Sequence, residues 1–244
     1  MEIFKKVFGR ERKFARIEEI KDKEELITNV FKNFRSEQSK YKGLASYYYG
    51  NQDYYSALNS IDNAIEIRDR DDYTLFALKA NILQELGEYR EAIEQYEEAI
   101  DYGGYDITVY ALYHQIGICY LELEKYEKAL EFFTYAIELK KQHPNKFPLT
   151  DSEYTLGGVM FGIKFNKLYD SRAIVLKRLN RLDEAIEDCK QAISYDASDS
   201  TPYLLLSQIY SMLGQKDNSL RYLKKSASLG NEKAQEILIE IGYI

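Results

Sequence analysis

The chain has 244 residues, of which 45% are hydrophobic and 30% are charged, and its net charge at pH 7 is −7. This acidic balance argues against a nucleic-acid partner, because phosphates are neutralised by surfaces rich in lysine and arginine. Proline (3) and glycine (13) are scarce, which argues against long disordered segments. No run approaches the roughly 18 apolar residues of a membrane-spanning helix. We therefore expect a folded, soluble, cytoplasmic chain.

Residues 1–37 are predicted to form a helical cap for the repeats that follow. Apolar residues recur with helical spacing around Phe4 and Phe8 and again between positions 26 and 34. A cap is needed because the end of a repeat array otherwise exposes its apolar face. Basic residues near Phe4 and Phe8 leave a weaker alternative open, contact with an anionic membrane surface. The segment lacks the continuous apolar core and the small-residue cleavage site of a secretory signal.

Five units of about 34 residues follow, since small residues recur at three fixed positions with the same spacings of 35, 37, 56 and 34 residues. Large apolar residues flank each position at i, i+3, i+4 and i+7, so each unit is predicted to be two amphipathic helices. The small residues allow the two helices to approach closely. The three small-residue columns are Ala45, Ala80, Gly117, Ala173 and Ser207; Ala57, Ala92, Ala129, Ala185 and Ser219; and Ala64, Ala99, Ala136, Ala192 and Ser226.

The second and third units carry the most recognisable motif. The second reads Leu-Gly-Glu-Tyr-Arg-Glu-Ala-Ile over 86–93, and the third reads Leu-Glu-Lys-Tyr-Glu-Lys-Ala-Leu over 123–130. This pattern resembles the tetratricopeptide repeat (TPR). The resemblance covers about residues 38–231. It implies an all-α fold, a right-handed α-solenoid of about five helix-turn-helix units with N- and C-terminal helical caps.

Domain boundaries follow from aligning the units on the small-residue columns. The chain departs from the family pattern in having Tyr or Phe where Trp is usual and no closing Pro in any unit. Lys79 and Arg172 also stand where an apolar residue is usual. The predicted units are 38–72, 73–109, 110–143, 166–199 and 200–231, and residues 232–244 are predicted to form a closing helix.

An insertion, residues 144–165, interrupts the array between the third and fourth units. Pro144 and Pro148 are predicted to stop the preceding helix. Apolar residues then recur with helical spacing from Leu156 to Ile163. Two interpretations remain open: the first helix of the fourth unit reaches back to about residue 152, or a short extra helix packs against the groove or the edge of the array. Insertions in repeat proteins often carry binding function, and the alternative is a packed elaboration without a ligand role.

The sequence contains no catalytic or metal-binding constellation. Cys119 and Cys189 lie in apolar helical contexts in different units, which predicts two buried thiols and not a disulfide or a metal site. The two histidines, His114 and His143, show no pattern of nucleophilic catalysis. We predict that the chain is not an enzyme and that it binds no metal or cofactor.

The resemblance implies a concave groove lined by the first helix of each unit. Its expected ligand is an extended peptide or a helix, because Asn and Gln side chains can pair with a partner's backbone. Lys177 and Arg178 can hold a carboxylate, and Lys167 and Asp170 are also expected to point inward. A chaperone-binding carboxylate clamp is disfavoured, because only Asn81 and Lys167 match it. The candidate groove residues are Lys42, Tyr49, Asn81, Gln84, His114, Gln115, Lys177, Arg178 and Gln208.

The leading hypothesis is a non-catalytic TPR scaffold or adaptor that binds a peptide or protein segment in its concave groove. The alternative is a structural repeat protein that forms a homodimer or larger homo-oligomer. Its interface would be the tyrosine-rich surface, since the chain has 23 tyrosines, or the insertion 144–165. Neither hypothesis involves nucleic acid, and membrane contact is not expected.

Overall fold

The computed structural model describes residues 36–67, 72–103, 109–142, 155–156, 159–160 and 163–243. These residues form α-helices and one pair of two-residue strands. They belong to two compact units, residues 1–70 and 71–244. The all-α fold class predicted from the sequence is confirmed. The predicted N-terminal cap lies outside the described residues, apart from its last two positions.

In its described residues, the first compact unit contains two helices that pack on each other, α1 (Glu37–Gly50) and α2 (Tyr54–Ile67). α1 begins where the Ser36 hydroxyl accepts a hydrogen bond from the Ser39 backbone N–H at 3.2 Å. This cap satisfies one of the donors that the start of a helix leaves unpaired. The small-residue columns are completely buried between the two helices, so they allow the close approach that the sequence predicts.

The second compact unit, residues 71–244, contains four helix pairs and a final helix in its described residues. We call the earlier member of each pair its first helix and the later member its second helix. Each second helix also packs on the first helix that follows it, so the pairs form a continuous array. The pairs are α3 (Tyr73–Glu85) with α4 (Tyr89–Gly103), α5 (Val109–Glu122) with α6 (Tyr126–Gln142), α7 (Phe165–Arg178) with α8 (Leu182–Tyr195), and α9 (Thr201–Met212) with α10 (Lys216–Ser228), and the final helix is α11 (Glu232–Glu240).

At Gly117, in the first small-residue column, the two helices are too close to leave room even for a Cβ atom. A Cβ atom placed there would lie 2.6 Å from the Phe133 ring of α6, which is closer than carbon atoms pack. Phe133 is itself completely buried, so it has little room to move away. The third pair therefore needs a glycine where the second and fourth pairs carry Ala80 and Ala173.

The turn inside every pair places one residue in the left-handed region of backbone space. These residues repeat with the spacing of the small-residue columns. Glycine adopts this conformation without steric cost, whereas the other side chains are strained there. The residues are Gln52 (φ 62°), Gly87 (φ 81°), Glu124 (φ 55°), Asn180 (φ 58°) and Gly214 (φ 70°).

The insertion, where it is described, is a pair of short strands and not a helix. β1 (Thr155–Leu156) and β2 (Val159–Met160) pair antiparallel, with Leu156 opposite Val159, and β2 lies against α3. α7 begins only at Phe165. Both helical interpretations of this stretch are therefore wrong. The Gly-Gly dipeptide between the two strands is typical of a hairpin sequence, and each glycine costs a helix about 1 kcal/mol.

The last residues of the insertion are fixed to the third helix pair through Ile163. Its backbone N–H donates to the Tyr110 hydroxyl at 3.0 Å, and the Lys140 ammonium donates to its carbonyl. Lys140 is buried, and its nitrogen lies 4.5 Å from the centre of the Phe165 ring. This cation–π contact offsets part of the cost of burying the charge. The contacts determine where the helix array resumes.

Candidate interaction face

The first helices of successive pairs touch one another through polar side chains. We call the surface along these contacts the first-helix face. The contacts are Cys119 Sγ with Gln84 Oε1 at 3.7 Å, His114 Nε2 with Ser171 Oγ at 2.9 Å, and Lys177 Nζ with Gln208 Oε1 at 2.5 Å, which join α3 to α5, α5 to α7 and α7 to α9. The face comprises Asn81, Gln84, His114, Gln115, Lys167, Asp170, Ser171, Lys177, Arg178 and Gln208.

Four of the nine candidate groove residues, Gln84, His114, Lys177 and Gln208, take part in these contacts. Asn81, Gln115 and Arg178 lie on the same first helices, and the other two belong to the first compact unit. Lys42 and Tyr49 are half-buried on α1, where the Tyr49 ring packs against Tyr54 with 5.9 Å between the ring centres. Ser171 contacts His114 although the sequence suggested no role for it. The sequence does contain a clue to this role: Ser171 lies about one helical turn after Lys167, which is expected to point inward, so the two residues share one side of the helix.

Asn81 and Gln84 on α3 are held by the second helix of their own pair. The Tyr96 hydroxyl of α4 lies 2.5 Å from Asn81 Oδ1 and 2.8 Å from Gln84 Oε1, so its single proton is shared between the two carbonyl oxygens. Tyr96 is completely buried, so these bonds satisfy a hydroxyl that would otherwise be costly inside the array. The two amide side chains therefore help to hold the helix pair together.

His114 and Gln115 on α5 carry polar atoms that have no partner in the described part of the chain. His114 is 6% exposed and Gln115 is 9% exposed. Neither His114 Nδ1 nor Gln115 Oε1 has a hydrogen-bond partner there. Burial lowers the pKa of His114 to about 3, so its ring is neutral at pH 7, with one nitrogen a donor and the other an acceptor. Such orphaned atoms are rare in folded chains and call for an explanation.

Asp170 on α7 is the third residue of this kind. It is 3% exposed, and neither of its carboxylate oxygens has a hydrogen-bond partner among the described residues. Burial and the nearby negative charge of Asp199 together raise the pKa of Asp170 to about 7, although the positive charge of Lys167 opposes the rise. Asp199 itself accepts hydrogen bonds from Lys167 at 2.8 Å and from Asn166 at 2.9 Å.

Lys177 and Arg178 form the basic end of the first-helix face, and one of them, Lys177, is engaged in a contact within the chain. Lys177 donates to Gln208, and its pKa is lowered by burial and by the neighbouring charge of Arg178. Arg178 is exposed. Of the two cations expected to hold a carboxylate, Arg178 is thus the one that points into solvent.

A separate acidic groove of about 700 Å³ lies between α6, α7 and α8. Its lining includes Arg172, which forms two hydrogen bonds of 2.8 Å with the Asp188 carboxylate. This ion pair explains why an arginine is accommodated where the repeat pattern usually has an apolar residue. The groove contains none of the candidate groove residues. Its acidic residues are Glu127, Glu131, Glu138, Glu184, Glu187 and Asp188.

Cys119 and Cys189 are free and buried, as predicted. Burial raises the pKa of both thiols, that of Cys119 to about 12. A thiol is a nucleophile or metal ligand only as its thiolate, so both cysteines are inert at neutral pH. The described residues contain no group of three His, Cys, Asp or Glu side chains that could hold a metal ion. Among the described helices none is long and apolar enough to cross a membrane.

Comparison with known families and proteins gives consistent results. Family models of the tetratricopeptide repeat match residues 73–142, 167–199 and 201–229. The human protein DnaJ homolog subfamily C member 7 is 28% identical over 257 residues, which cover 94% of this chain and 51% of that protein. The Hsp70-Hsp90 organising protein of Plasmodium falciparum (isolate 3D7) is 31% identical over 124 residues, covering 51% of this chain and 19% of that protein. The chain thus spans about half the length of the human relative and less of the other.

Solved structures resemble the chain in fold. A crystal structure of MamA protein superimposes with a TM-score of 0.61 at 16% identity, covering 82% of this chain and 94% of that one. YrrB, described as a TPR protein with an unusual peptide-binding site, superimposes with a TM-score of 0.59 at 17% identity, covering 88% and 97%. At such identities the likeness concerns the fold alone.

Proposed function

Because the chain belongs to the tetratricopeptide repeat family, a family of protein-interaction scaffolds, we propose that it binds an extended peptide or protein segment on the first-helix face. The observation that carries this proposal is the pair of orphaned polar atoms on α5, His114 Nδ1 and Gln115 Oε1. A buried polar atom without a partner costs about 1–3 kcal/mol. A ligand that supplies the missing hydrogen bonds would recover that free energy on binding.

The chemistry of these atoms specifies what the ligand must offer. Gln115 Oε1 is an acceptor, so its partner must be a donor. If the His114 Nε2–H donates to Ser171, its Nδ1 also requires a donor. A polypeptide in an extended conformation presents backbone N–H groups at regular intervals along its length. An extended segment therefore matches the first-helix face better than a ligand that offers only acceptors.

The relatives support a protein-binding role without naming the partner. YrrB is described as a TPR protein with an unusual peptide-binding site, and one relative is named Hsp70-Hsp90 organising protein. A chaperone-type carboxylate clamp remains disfavoured in our proposal. Ala77, Gln115 and Ser171 occupy positions where that clamp needs Lys, Asn and Arg.

We also propose that this role is non-catalytic. His114 is held neutral and both cysteine thiols are held protonated by burial, so none of these three side chains is an activated nucleophile. The free, buried cysteines suit a reducing compartment such as the cytoplasm, the location that the sequence predicts.

A selection experiment tests the proposal. Random peptides displayed on phage are selected on the wild-type chain, and one enriched peptide is measured by fluorescence polarisation. The variant Gln115→Leu removes the orphaned acceptor and should weaken the peptide about tenfold, the effect of one buried hydrogen bond. The exposed Gln142→Leu is the matched control and should leave the affinity unchanged. Equal binding to both variants would place the peptide elsewhere.

Self-association is the second candidate function, and exposed apolar side chains near the end of the second unit favour it. Light scattering over a hundredfold range of concentration decides the matter: a mass that rises with concentration supports this candidate, and a constant monomer mass removes it. The exposed side chains are Met212, Leu213, Ile239, Ile241 and Tyr243.

A further inference from the structure

Asp170 differs from two other acids of the second compact unit, the buried Asp188 and the half-buried Asp199. Asp188, equally buried, is matched by the guanidinium of Arg172. Asp199 is matched by Lys167 and by the Asn166 amide. Asp170 alone among these three has no donor on either oxygen within the described residues. Its negative charge is therefore not balanced by any direct contact there.

A buried carboxylate without a partner is too costly to remain so. One relief is a proton, which makes Asp170 neutral and lets it share a hydrogen bond with the adjacent Asp199 carboxylate. The other relief is a cation supplied from outside. The negative charges of Asp199 and Asp196 favour either relief, and the positive charge of Lys167 opposes both. A proton can therefore balance Asp170 in the free chain, and a cation carried by a ligand can replace that proton on binding. The α8 side contributes the neutral thiol of Cys189.

The position of Asp170 joins it to the proposed binding surface. It lies one turn after Lys167 on α7 and directly before Ser171, whose hydroxyl contacts His114. Asp170 and Ser171 lie three and four residues after Lys167, and residues at these spacings share one side of a helix, so both border the side of α7 that carries Lys167. The orphaned atoms of α5 and the orphaned carboxylate of α7 thus lie on one face of the array.

We propose that the segment bound on the first-helix face carries a lysine or arginine side chain whose charge is received by Asp170. This inference rests on the function proposed above and specifies the chemistry of the partner. Arginine is the better match, because its planar guanidinium can donate to both oxygens of one carboxylate. The exposed Arg178 at the other end of α7 suits an acidic group on the same ligand, which gives the segment a direction.

Parallel peptide selections test this assignment. Display libraries are selected on the wild-type chain, on Asp170→Asn and on Asp183→Asn, an exposed acid of the same repeat. The wild type and Asp183→Asn should enrich peptides that share a basic residue at one aligned position. Asp170→Asn should lose that preference while retaining its helical circular dichroism.

A double-mutant cycle then isolates the contact. Replacing the basic residue of one enriched peptide by glutamine should weaken binding to the wild type roughly 10- to 100-fold, as expected for a buried charge-assisted hydrogen bond. The same replacement should change binding to Asp170→Asn by less than about twofold. A measurement on the wild type alone adds a second readout. Affinity for the basic peptide should rise between pH 6 and pH 8 as Asp170 ionises, and affinity for the glutamine peptide should not.

The outcomes separate the two proposals. Enriched peptides without a basic preference, or an equal loss in both proteins, would overturn the role of Asp170 and leave peptide binding intact. No enrichment on the wild type would overturn peptide binding itself, and this inference with it. A basic preference that disappears only in Asp170→Asn supports both.

Discussion

On one side of α7, Arg172 forms a two-pronged ion pair with Asp188 of α8, whereas Asp170, two residues earlier, is buried without a donor among the described residues. Residues two apart on a helix point in nearly opposite directions, so the two charges lie on different sides of the same element. The first charge is balanced within the chain and supports the fold. The second is balanced only by a proton or by something outside the chain. Violations of this kind concentrate at functional sites.

We expect the largest change in stability from removing the ion pair between Arg172 and Asp188. Arg172→Ala leaves Asp188 buried and unpaired, which should lower the free energy of unfolding by roughly 3 to 5 kcal/mol. Urea unfolding followed by circular dichroism measures the change. Arg181→Ala, which removes an exposed pair with Glu184, is the control and should leave the midpoint unchanged. Equal midpoints for the two variants would mean that the Arg172 pair contributes nothing to stability.

On the side of α7 that carries Asp170, we expect a substitution to raise the free energy of unfolding. Asp170→Asn removes a carboxyl whose pKa is raised on folding from 3.8 to about 7. Folding therefore disfavours the ionised form: the penalty is absent below pH 3.8, grows as the pH rises, and is complete above pH 7. The variant should be more stable than the wild type by on the order of 3 kcal/mol at pH 8.

The advantage of Asp170→Asn should shrink at pH 5, and urea unfolding at the two pH values measures it. Asp183→Asn serves as the matched exposed control and should give the same stability difference at both. If Asp170→Asn destabilises the chain at pH 8, the carboxylate is balanced internally and the contrast between the two sides of α7 is wrong.

A smaller gain is expected at the neighbouring orphaned amide. Gln115→Leu removes the unpaired Oε1 while keeping a side chain of similar length, so the free energy of unfolding should rise by about 1 kcal/mol. Thermal unfolding of this variant beside the exposed Gln142→Leu provides the comparison. A loss of stability in Gln115→Leu alone would indicate that the amide is satisfied inside the fold.

Much of this architecture could be predicted from sequence, because it depends on short-range periodicity. The small-residue columns predict the helix pairs, since burial and close approach act at the same spacing in every unit. A helix was predicted in place of the strand pair because Leu156, Val159, Met160 and Ile163 fit a helical period by chance over a short stretch. The Gly157-Gly158 dipeptide was the better signal.

The candidate site could be predicted only in outline. The repeat pattern assigns Asn81, Gln84 and Gln115 to first helices, where the structure has them. Periodicity does not reveal that Tyr96 occupies the carbonyls of Asn81 and Gln84 while Gln115 is left unpaired, because that depends on side-chain geometry between helices. Whether these residues bind a segment stays a prediction.

The hydrogen bonds of Lys140 and Tyr110 to the Ile163 backbone mean that the insertion can change in length without moving the start of α7. The array resumes from a fixed point, so the stacking of α7 on α6 does not depend on how many residues lie between them. Lengthening such a connection is cheap, since each doubling of a loop costs only about 0.6 kcal/mol in closure entropy. A change in the length of this segment should therefore leave the register of the following repeats unchanged.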